Sequence, residues 1–552
     1  MRSPPLAERD RVTRPSPDAA LWRDVASVLA RQPVSGRAAG AAPQLADALA
    51  RGLEPALPAA TEADALLAIG NAMRSARRAD LADGVFAYAV RRAPHDPRLH
   101  NGWGVVCATT LRHPQAAGAF ARARELAPNW LVPLVNEAEE RTLLDEVDRS
   151  EALWRDAMRL APDDPRPIAG LAMAIGQRGE LDPALELARS AAAADPRNPR
   201  AWQVLGQLCE WAWRHDAALD AFRRMQALVP DSARAWAGIG AALLATGRWD
   251  EGFAAFEHRR HGRHAPATRL PGVAVWTGEP LAGTLVLHAD QGYGDMLMQA
   301  RFIASIRPRV GRVVVLLEGY GASLARTFEA VAGVDRVVVE DRALANEAPA
   351  AVASLTSLAH HARATPPFDA HRIPYLRASE SSRRVFAAFD ASAPRVRIGV
   401  AWSVAARDEV PYVPRLKRLP GVVVMGWIAA TPQVEWHSIQ PGDAGDPALH
   451  GLDPGRVVSH ATELRDFDAT AALVERLDLV VSADTAVAHL AGALGKPVWL
   501  VDRANADWRF RPSAESTPWY PTMRIFRQQK MRDWSHPALA VERALVERYA
   551  RA

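Results

Sequence analysis

The chain has 552 residues, of which 49% are hydrophobic and 24% charged, so it is long enough for three or four ordinary globular domains. Its net charge of +4 is small for this length and does not indicate a nucleic-acid-binding protein. The two cysteines, Cys107 and Cys209, argue against a disulfide scaffold or a zinc site and favour a reducing compartment. Because no apolar run has the length of a signal peptide or a membrane span, we expect a soluble, cytoplasmic protein.

Residues 1–62 are expected to form a disordered start and short helices. The first 17 residues are rich in Pro, Arg and Ser, a composition that is typical of disordered segments. Two short helices are predicted over 18–31 and 43–52. No repeat is visible in this part of the sequence.

A 34-residue period runs through 63–265. Prolines recur at this spacing at Pro94, Pro128, Pro162, Pro196 and Pro230. Eight residues before each proline, and once more after the last, lies a mostly aromatic column: Phe86, Phe120, Trp154, Ala188, Phe222 and Phe256. A third column holds small residues: Gly70, Gly104, Ala138, Ala172, Gly206 and Gly240. Small residues let paired helices approach and aromatic ones fill the gap to the next helix, so we predict about six tetratricopeptide repeats forming a solenoid with a protein-binding groove.

The next motif follows an apolar strand and opens a helix. In TLVLHADQGYGDMLMQARFIASI, over 284–306, Gln291, Gly292 and Gly294 form a tight turn between the two elements. Asp295 either caps the helix that follows or acts on a bound ligand. Further apolar strands at 313–318 and 337–340 complete a predicted N-terminal Rossmann-like lobe over 271–385.

A second lobe is predicted over 395–552. It begins with the strand RIGVAW, and a basic cluster with Arg415 and Lys417 follows. Cations there suit a diphosphate or a sugar carboxylate, although a solvated loop fits the pattern equally well. Gln440 ends the short stretch HSIQ further along this lobe.

Within this lobe, residues 477–502 indicate a parallel βαβ unit, LDLVVSADTAVAHLAGALGKPVWLVD. Asp484 and Thr485 follow the first strand, at the helix N-terminus, where free N–H groups and a partial positive charge favour phosphate. His489 lies four residues after Thr485, on the same helix face. In the alternative interpretation, Asp484 is only an N-cap and His489 only a half-buried helix residue.

Three stretches carry a resemblance. DTAVAHLAGALGKPVW at 484–499, ADWRF at 506–510 and PWYPTMRIFRQ at 518–528 together resemble the C-terminal half of certain bacterial glycosyltransferases. That family joins tetratricopeptide repeats to a heptosyltransferase-like, GT-B catalytic domain, and its architecture is similar to that of the O-GlcNAc transferases. HADQGYGD also resembles the family's HGEQGLGD, with Ala289 and Asp290 in place of Gly and Glu.

The resemblance implies an α + α/β protein, in which a tetratricopeptide solenoid precedes a GT-B pair of Rossmann-like lobes. It implies inverting, metal-independent transfer from a nucleotide-sugar, with no other cofactor. Asp295 is then the general base and His489 a second catalytic residue that donates a hydrogen bond. The donor would contact Gln291, Gly292, Gly294, Asp484, Thr485, Gln440, Arg415 and Lys417. By analogy with the family, the groove would present a protein acceptor, for example flagellin or another surface protein.

Two departures from the family pattern keep alternatives open. Ser403, Val404 and Ala405 stand where the family has Ser-Gly-Asn, so the backbone approaches a ligand less closely. The asparagine ladder of the O-GlcNAc transferases is reduced to Asn136, so their acceptor recognition does not carry over. The chain could therefore be a non-catalytic repeat scaffold with a degenerate transferase domain. A lipopolysaccharide acceptor is a further alternative.

Overall fold

A computed structural model describes most of the chain. The described residues are 17–31, 41–51, 58–162, 164–258, 270–368, 372–387, 396–403, 417–441, 451–453, 455–511 and 515–549. Two compact units can be distinguished in the described residues, and the division falls between Ala174 and Ile175. The predicted donor residue Arg415 and the predicted disorder of the first 16 residues lie outside the described residues.

The described residues up to His258 form fourteen helices in succession. They are α1 Pro17–Arg31, α2 Ala41–Ala50, α3 Ala59–Ser75, α4 Ala79–Arg92, α5 Pro97–Thr109, α6 His113–Leu126, α7 Leu131–Leu143, α8 Val147–Leu160, α9 Pro165–Arg178, α10 Leu181–Ala194, α11 Pro199–Trp211, α12 His215–Leu228, α13 Ala233–Ala245 and α14 Trp249–Glu257. From α3 onward they come as six pairs with the predicted period. α1 and α2 lie where short helices are predicted.

The small and aromatic columns contact each other as the period predicts. A Cβ atom placed on Gly70 would lie 2.5 Å from the ring of Phe86, and one on Gly102 of the next pair would lie 2.4 Å from the same ring. In the second unit, a Cβ atom on Gly206 would similarly lie 2.9 Å from the ring of Phe222. At these positions the aromatic ring occupies the space that a Cβ atom would need, so glycine lets the ring pack against its own pair and the next.

A five-stranded parallel sheet follows the repeats. Its strands are β1 Ala274–Val275, β2 Leu281–His288, β3 Val310–Leu316, β4 Arg336–Val338 and β5 Pro349–Ser354, in the order β1-β5-β2-β3-β4. Every pairing is parallel. β2 and β3 contain runs of Val and Leu, as expected for parallel strands that are buried on both faces.

A second sheet has seven strands. They are β6 Arg397–Ala401, β7 Glu435–Ser438, β8 Val457–Ser459, β9 Leu479–Ala483, β10 Val498–Asp502, β11 Ser516–Thr517 and β12 Tyr520–Arg527, in the order β11-β12-β10-β9-β6-β7-β8. Only β11 is antiparallel to its neighbour. β9 and β10 are buried along their whole length and pair in parallel, as the βαβ pattern predicts.

Helices and short 3-10 turns connect these strands. The helices are α15 Tyr293–Gln299, α16 Ile303–Ile306, α17 Ala325–Glu329, α18 Leu358–His361, α19 Glu380–Val385, α20 Gly421–Ala430, α21 Phe467–Val474, α22 Ala486–Ala493 and α23 Ser535–Tyr549. The 3-10 turns are Ala300–Phe302, Arg307–Arg309, Gly319–Leu324, Asp341–Asn346 and Leu355–Ser357. The predicted α + α/β class, with a repeat solenoid before the parallel sheets, is confirmed. In the described part of the chain, no helix is both long and apolar enough to cross a membrane.

Candidate functional site

The predicted site residues gather at the carboxyl ends of parallel strands. Asp484 follows β9, and the Gln291 to Asp295 turn follows β2. β9 lies in the middle of the second sheet, between β6 and β10. In open α/β sheets, ligands bind outside this edge, so residues distant in sequence meet where chemistry is expected.

The N-cap of helix α22 is Thr485, which directly precedes the first helical residue Ala486. The Thr485 hydroxyl oxygen accepts a hydrogen bond from the backbone N–H of Val487 at 3.2 Å, and Ser482 Oγ lies 3.0 Å from it. The interpretation of Asp484 as the N-cap is therefore wrong. Gly495, which follows the helix, has φ +74, the left-handed conformation predicted for this position.

Asp484 and Lys417 lie close together, as expected for two residues of one site. They form an ion pair with each other, although the sequence predicts that both contact the donor. Lys417 Nζ lies 2.5 Å from the Asp484 carboxylate, and both side chains are largely buried. Burial alone would raise the pKa of Asp484, but the Lys417 ammonium, with His489 and Arg503, outweighs it and lowers that pKa. An anionic ligand at the α22 N-terminus would therefore compete with Asp484 for Lys417.

Asp502, at the end of β10, is a site residue that the sequence interpretation missed. It is fully buried, and an Arg527 guanidinium nitrogen lies 3.3 Å from its carboxylate. Burial, together with the neighbouring Asp484, raises the pKa of Asp502 to about 6. The sequence signal that could have identified Asp502 is its position at the end of the apolar run VWLVD. That run ends at the same sheet edge as the strand before Asp484.

His489 lies in α22 and packs against the glycine turn. A Cβ atom on Gly294 would lie 2.6 Å from the His489 ring, so only glycine permits this approach of the two lobes. His489 Nδ1 is 3.1 Å from the Tyr520 hydroxyl. Burial lowers the pKa of His489 to about 4, while the nearby Asp484 opposes that shift. The imidazole is therefore neutral at physiological pH and can hydrogen-bond a ligand without a change of charge.

Tyr520 is held in turn by the buried Arg301. The Arg301 guanidinium lies 4.9 Å from the centre of the Tyr520 ring and donates a hydrogen bond to the Tyr375 hydroxyl at 3.1 Å. It also donates to the backbone carbonyls of Trp519 at 2.7 Å and Phe368 at 3.1 Å. His489 is thus fixed through Tyr520 by a cation that is only 2% exposed.

Asp295 lies in the first turn of α15, but it is not the cap. The N-cap residue is Gly292, so the capping interpretation of Asp295 is wrong. Its carboxylate forms an ion pair with Arg509, which also contacts Asp507 at 2.5 Å and lies 4.3 Å from the Trp508 ring centre. The sequence analysis assigns no site role to Arg509, although this residue lies in the stretch ADWRF that carries the resemblance. The ion pair with Asp295 is evident only from the structure.

Gln440 follows β7, the strand that pairs with β6 in the second sheet. Its side-chain oxygen accepts from the backbone N–H groups of Trp402 at 2.7 Å and Ser403 at 2.5 Å, and its amide nitrogen donates to the Ser403 hydroxyl at 2.9 Å. Gln440 therefore fixes the chain just after β6. Its direct contact with a donor stays a prediction.

The turn before Asp295 is partly open. The Gln291 side chain is exposed, and its backbone carbonyl accepts a hydrogen bond from the Tyr320 hydroxyl at 2.7 Å. Gln291 and Gly292 therefore leave a face of the turn accessible to a ligand. In the described residues, no group of three or more His, Cys, Asp or Glu side chains is arranged to hold a metal ion.

Comparison with known families shows what one segment of the second sheet is similar to. Residues 462–519 match the model of glycosyltransferase family 9 (heptosyltransferase). This range contains Asp484, Thr485, His489 and Arg509. The resemblance to heptosyltransferase-like glycosyltransferases is confirmed there, and the chain combines that segment with a repeat region. Similarity to the O-GlcNAc transferases stays a prediction.

A curated relative is Protein FlbA of Caulobacter vibrioides, which is 28% identical over 319 residues, or 53% of this chain and 51% of that protein. The chain therefore spans about half the length of the curated relative it matches. Among solved structures, a thermophilic tetratricopeptide protein from Thermus thermophilus has 19% identity and a TM-score of 0.30, covering 33% of this chain and 99% of that one. A tetratricopeptide repeat protein from Parabacteroides merdae has 14% identity and a TM-score of 0.37, covering 44% and 92%. These scores are too low to establish a shared fold, so the fold rests on the helix pairs and sheets described above.

Proposed function

We propose that this protein is a cytoplasmic glycosyltransferase of the GT-B type. It would move a sugar from a nucleotide-sugar donor to a protein acceptor presented by the repeats, such as flagellin or another surface protein. The observation that carries the proposal is the close contact of Gly294 with His489. That contact holds the turn that carries Asp295 against α22, and α22 lies in the segment that matches the glycosyltransferase family.

On the donor side, the diphosphate would lie at the N-terminus of α22. Lys417 and Arg503 supply positive charge there, and the helix dipole adds to it. The neutral His489 would donate a hydrogen bond to the donor. Lys417 would leave Asp484 for the diphosphate, so donor binding would exchange one ion pair for another. Gln291, Gly292 and Thr485 would complete the contacts, and Arg415 stays a predicted contact.

On the acceptor side, Asp295 would act as the general base. Its carboxylate takes the proton of the acceptor hydroxyl while that oxygen bonds to the anomeric carbon. The bond from the anomeric carbon to the diphosphate oxygen breaks, and the diphosphate leaves with the electron pair. Attack from the side opposite the leaving group inverts the anomeric centre without a metal ion. Arg509 would orient the base.

The test replaces Asp295 without changing its size. With UDP-, GDP-, ADP- and CMP-sugars as donors and intact-mass detection of the acceptor, we expect Asp295→Asn to slow transfer by about 10²–10⁴-fold. Nucleotide affinity should stay within about threefold, because the diphosphate contacts are unchanged. Glu329→Gln, an exposed carboxyl at the end of α17, is the matched control. Unchanged transfer by Asp295→Asn would exclude the base assignment.

Two other functions remain candidates. A non-catalytic scaffold is favoured by the two internal ion pairs, because Lys417 with Asp484 and Asp295 with Arg509 already neutralise the site. Failure of the wild type to bind any of the four nucleotides would support the scaffold. A lipopolysaccharide acceptor would be recognised by the added sugar mass on lipid rather than on protein.

A further inference from the structure

A cavity of about 370 Å³ lies beside Asp295, within the second compact unit. Its size is in the usual range of ligand pockets, roughly 300–1,000 Å³. One wall consists of the last repeats, with Glu210 of α11 and Arg234 of α13. The opposite wall consists of Gln291 and Asp295 after β2, and of residues 503–509 after β10.

The two walls are joined by specific contacts. The Trp213 indole N–H, between α11 and α12, donates to the backbone carbonyl of Ala504 at 2.7 Å. The Arg527 guanidinium lies 5.5 Å from the centre of the Trp213 ring. Phe253 and Phe256 of α14 pack against Trp508, with ring centres 6.4 and 6.1 Å apart. The last repeats are therefore fixed against the transferase part and belong to the same site.

Two polar side chains of the repeat wall, Glu210 and His215, line the cavity. His215 has both ring nitrogens buried, and neither has a hydrogen-bond partner in the described residues. Buried polar groups are nearly always hydrogen-bonded, so such a ring indicates a missing ligand or water. Glu210 is half-buried in the same wall. Burial raises the pKa of Glu210 to about 7, Asp507 adds to the shift and Arg234 opposes it.

The charge around the cavity indicates the chemistry of the ligand. Three carboxyl groups and three guanidinium groups line it: Glu210, Asp295, Asp507, Arg234, Arg503 and Arg509. Equal numbers of opposite charges give no strong preference for an ion. Amide, imidazole and carboxyl groups suit a neutral ligand that carries hydroxyl and amide groups, such as a peptide segment containing Ser or Thr.

We propose that this cavity is the acceptor subsite, and that Glu210 and His215 bind a hydroxyl-bearing peptide segment next to Asp295. This inference rests on the proposed glycosyl transfer. It extends that function because it makes the last repeats part of the substrate-binding wall. The peptide is favoured over a glycan because helices of a protein-binding repeat form half of the cavity.

The test uses the full-length protein with a synthetic library of nonapeptides, each with a central Ser or Thr, and the four nucleotide-sugars named above. We expect Glu210→Gln to lower kcat/KM for the best peptide by at least about tenfold, mainly through KM, because a charged hydrogen bond is lost. The Kd for the matching nucleotide should change by less than about twofold, since Lys417, Asp484 and Thr485 do not line this cavity. Asp220→Asn, an exposed carboxyl on α12, is the matched control.

A pH profile separates binding by Glu210 from a merely structural role. The charged or titratable groups around Glu210 are Arg234, His215, Asp507, Arg509, Arg503 and Asp295. The ionised carboxylate is the better acceptor for the peptide hydroxyl, so the KM of the wild type should fall as pH rises through about 7. Glu210→Gln should lose that dependence while Asp220→Asn keeps it.

The remaining outcomes are decisive. Wild-type peptide transfer with an unchanged KM in Glu210→Gln would overturn the inference and leave the proposed function intact. A wild type that binds nucleotide but glycosylates no peptide would overturn the peptide assignment. A wild type that binds no nucleotide would overturn the proposed function, and the acceptor subsite with it.

Discussion

The repeat region and the α/β region form their characteristic contacts over very different chain separations. In the repeats, Gly70 meets Phe86, 16 positions later, and similar contacts recur with the 34-residue period. In the α/β region, Asp295 meets Arg509 across 214 positions. The comparison teaches that local, repeated packing gives the solenoid its shape, whereas the candidate site depends on two sheets that bring distant segments together.

The largest expected effect tests the local character of the repeats. Phe120 is 2% exposed and packs against Gly104. We expect Phe120→Ala to lower the free energy of unfolding of its unit by about 3–5 kcal/mol, because a large buried ring is lost. Urea denaturation would measure this, with Arg122→Ala on the exposed face of α6 as the control. If Phe120→Ala destabilised the α/β region by the same amount, the conclusion that the repeats are stabilised by local packing would be contradicted.

The next largest effect concerns pH and the α/β site. The groups around the His489 ring are Asp484, Asp295, Arg509, Lys417 and Tyr520. The folded-state pKa of His489 is about 4, below the ordinary 6.5, so between these values the unfolded chain binds a proton that the native state does not. The stability gained by burying a neutral His489 is therefore fully present above pH 6.5 and is lost as pH falls towards 4.

We expect the wild type to lose about 2 kcal/mol more stability than His489→Gln between pH 7 and pH 5. Denaturant titrations of both proteins at the two pH values would measure the difference. Because Asp502 titrates in both proteins, its contribution largely cancels. Parallel pH profiles for the two proteins would show that His489 is not the buried neutral group described here.

A smaller effect should follow from filling the contact between the lobes. Gly294→Ala places a methyl group 2.6 Å from the His489 ring, which must then move. We expect nucleotide affinity to fall by about tenfold, as calorimetry with UDP, GDP, ADP and CMP would show. Gly118→Ala, in α6, is the control because its Cβ atom meets no heavy atom within 4 Å. Equal affinities for the two variants would contradict a role for this contact.

The smallest effect is expected for Tyr520→Phe. This change removes the hydroxyl that lies 3.1 Å from His489 Nδ1 and keeps the ring. We expect a loss of about 1 kcal/mol in stability and a change in the ¹⁵N chemical shift of the His489 ring. Phe526→Leu, elsewhere on β12, provides a comparison for ring packing alone. An unchanged His489 resonance would show that Tyr520 does not orient the imidazole.

The sequence by itself determined the repeats and the order of the α/β elements. The 34-residue period identified the small and aromatic columns, because neighbouring helix pairs contact each other at fixed spacings. The apolar runs before Asp484 and before Asp502 likewise predicted two buried parallel strands. The left-handed backbone conformation of Gly495 was predicted because the residue that ends a helix commonly adopts it and is usually glycine.

Only the tertiary structure decided how the site residues are paired. Lys417 neutralises Asp484, Arg509 neutralises Asp295, and Glu210 of a repeat helix faces the same cavity as Asp295. No local pattern encodes these partners, because they depend on the packing of two sheets and the last repeats. The sequence therefore identified most of the residues at the strand ends, and the fold determined which charges remain for a ligand.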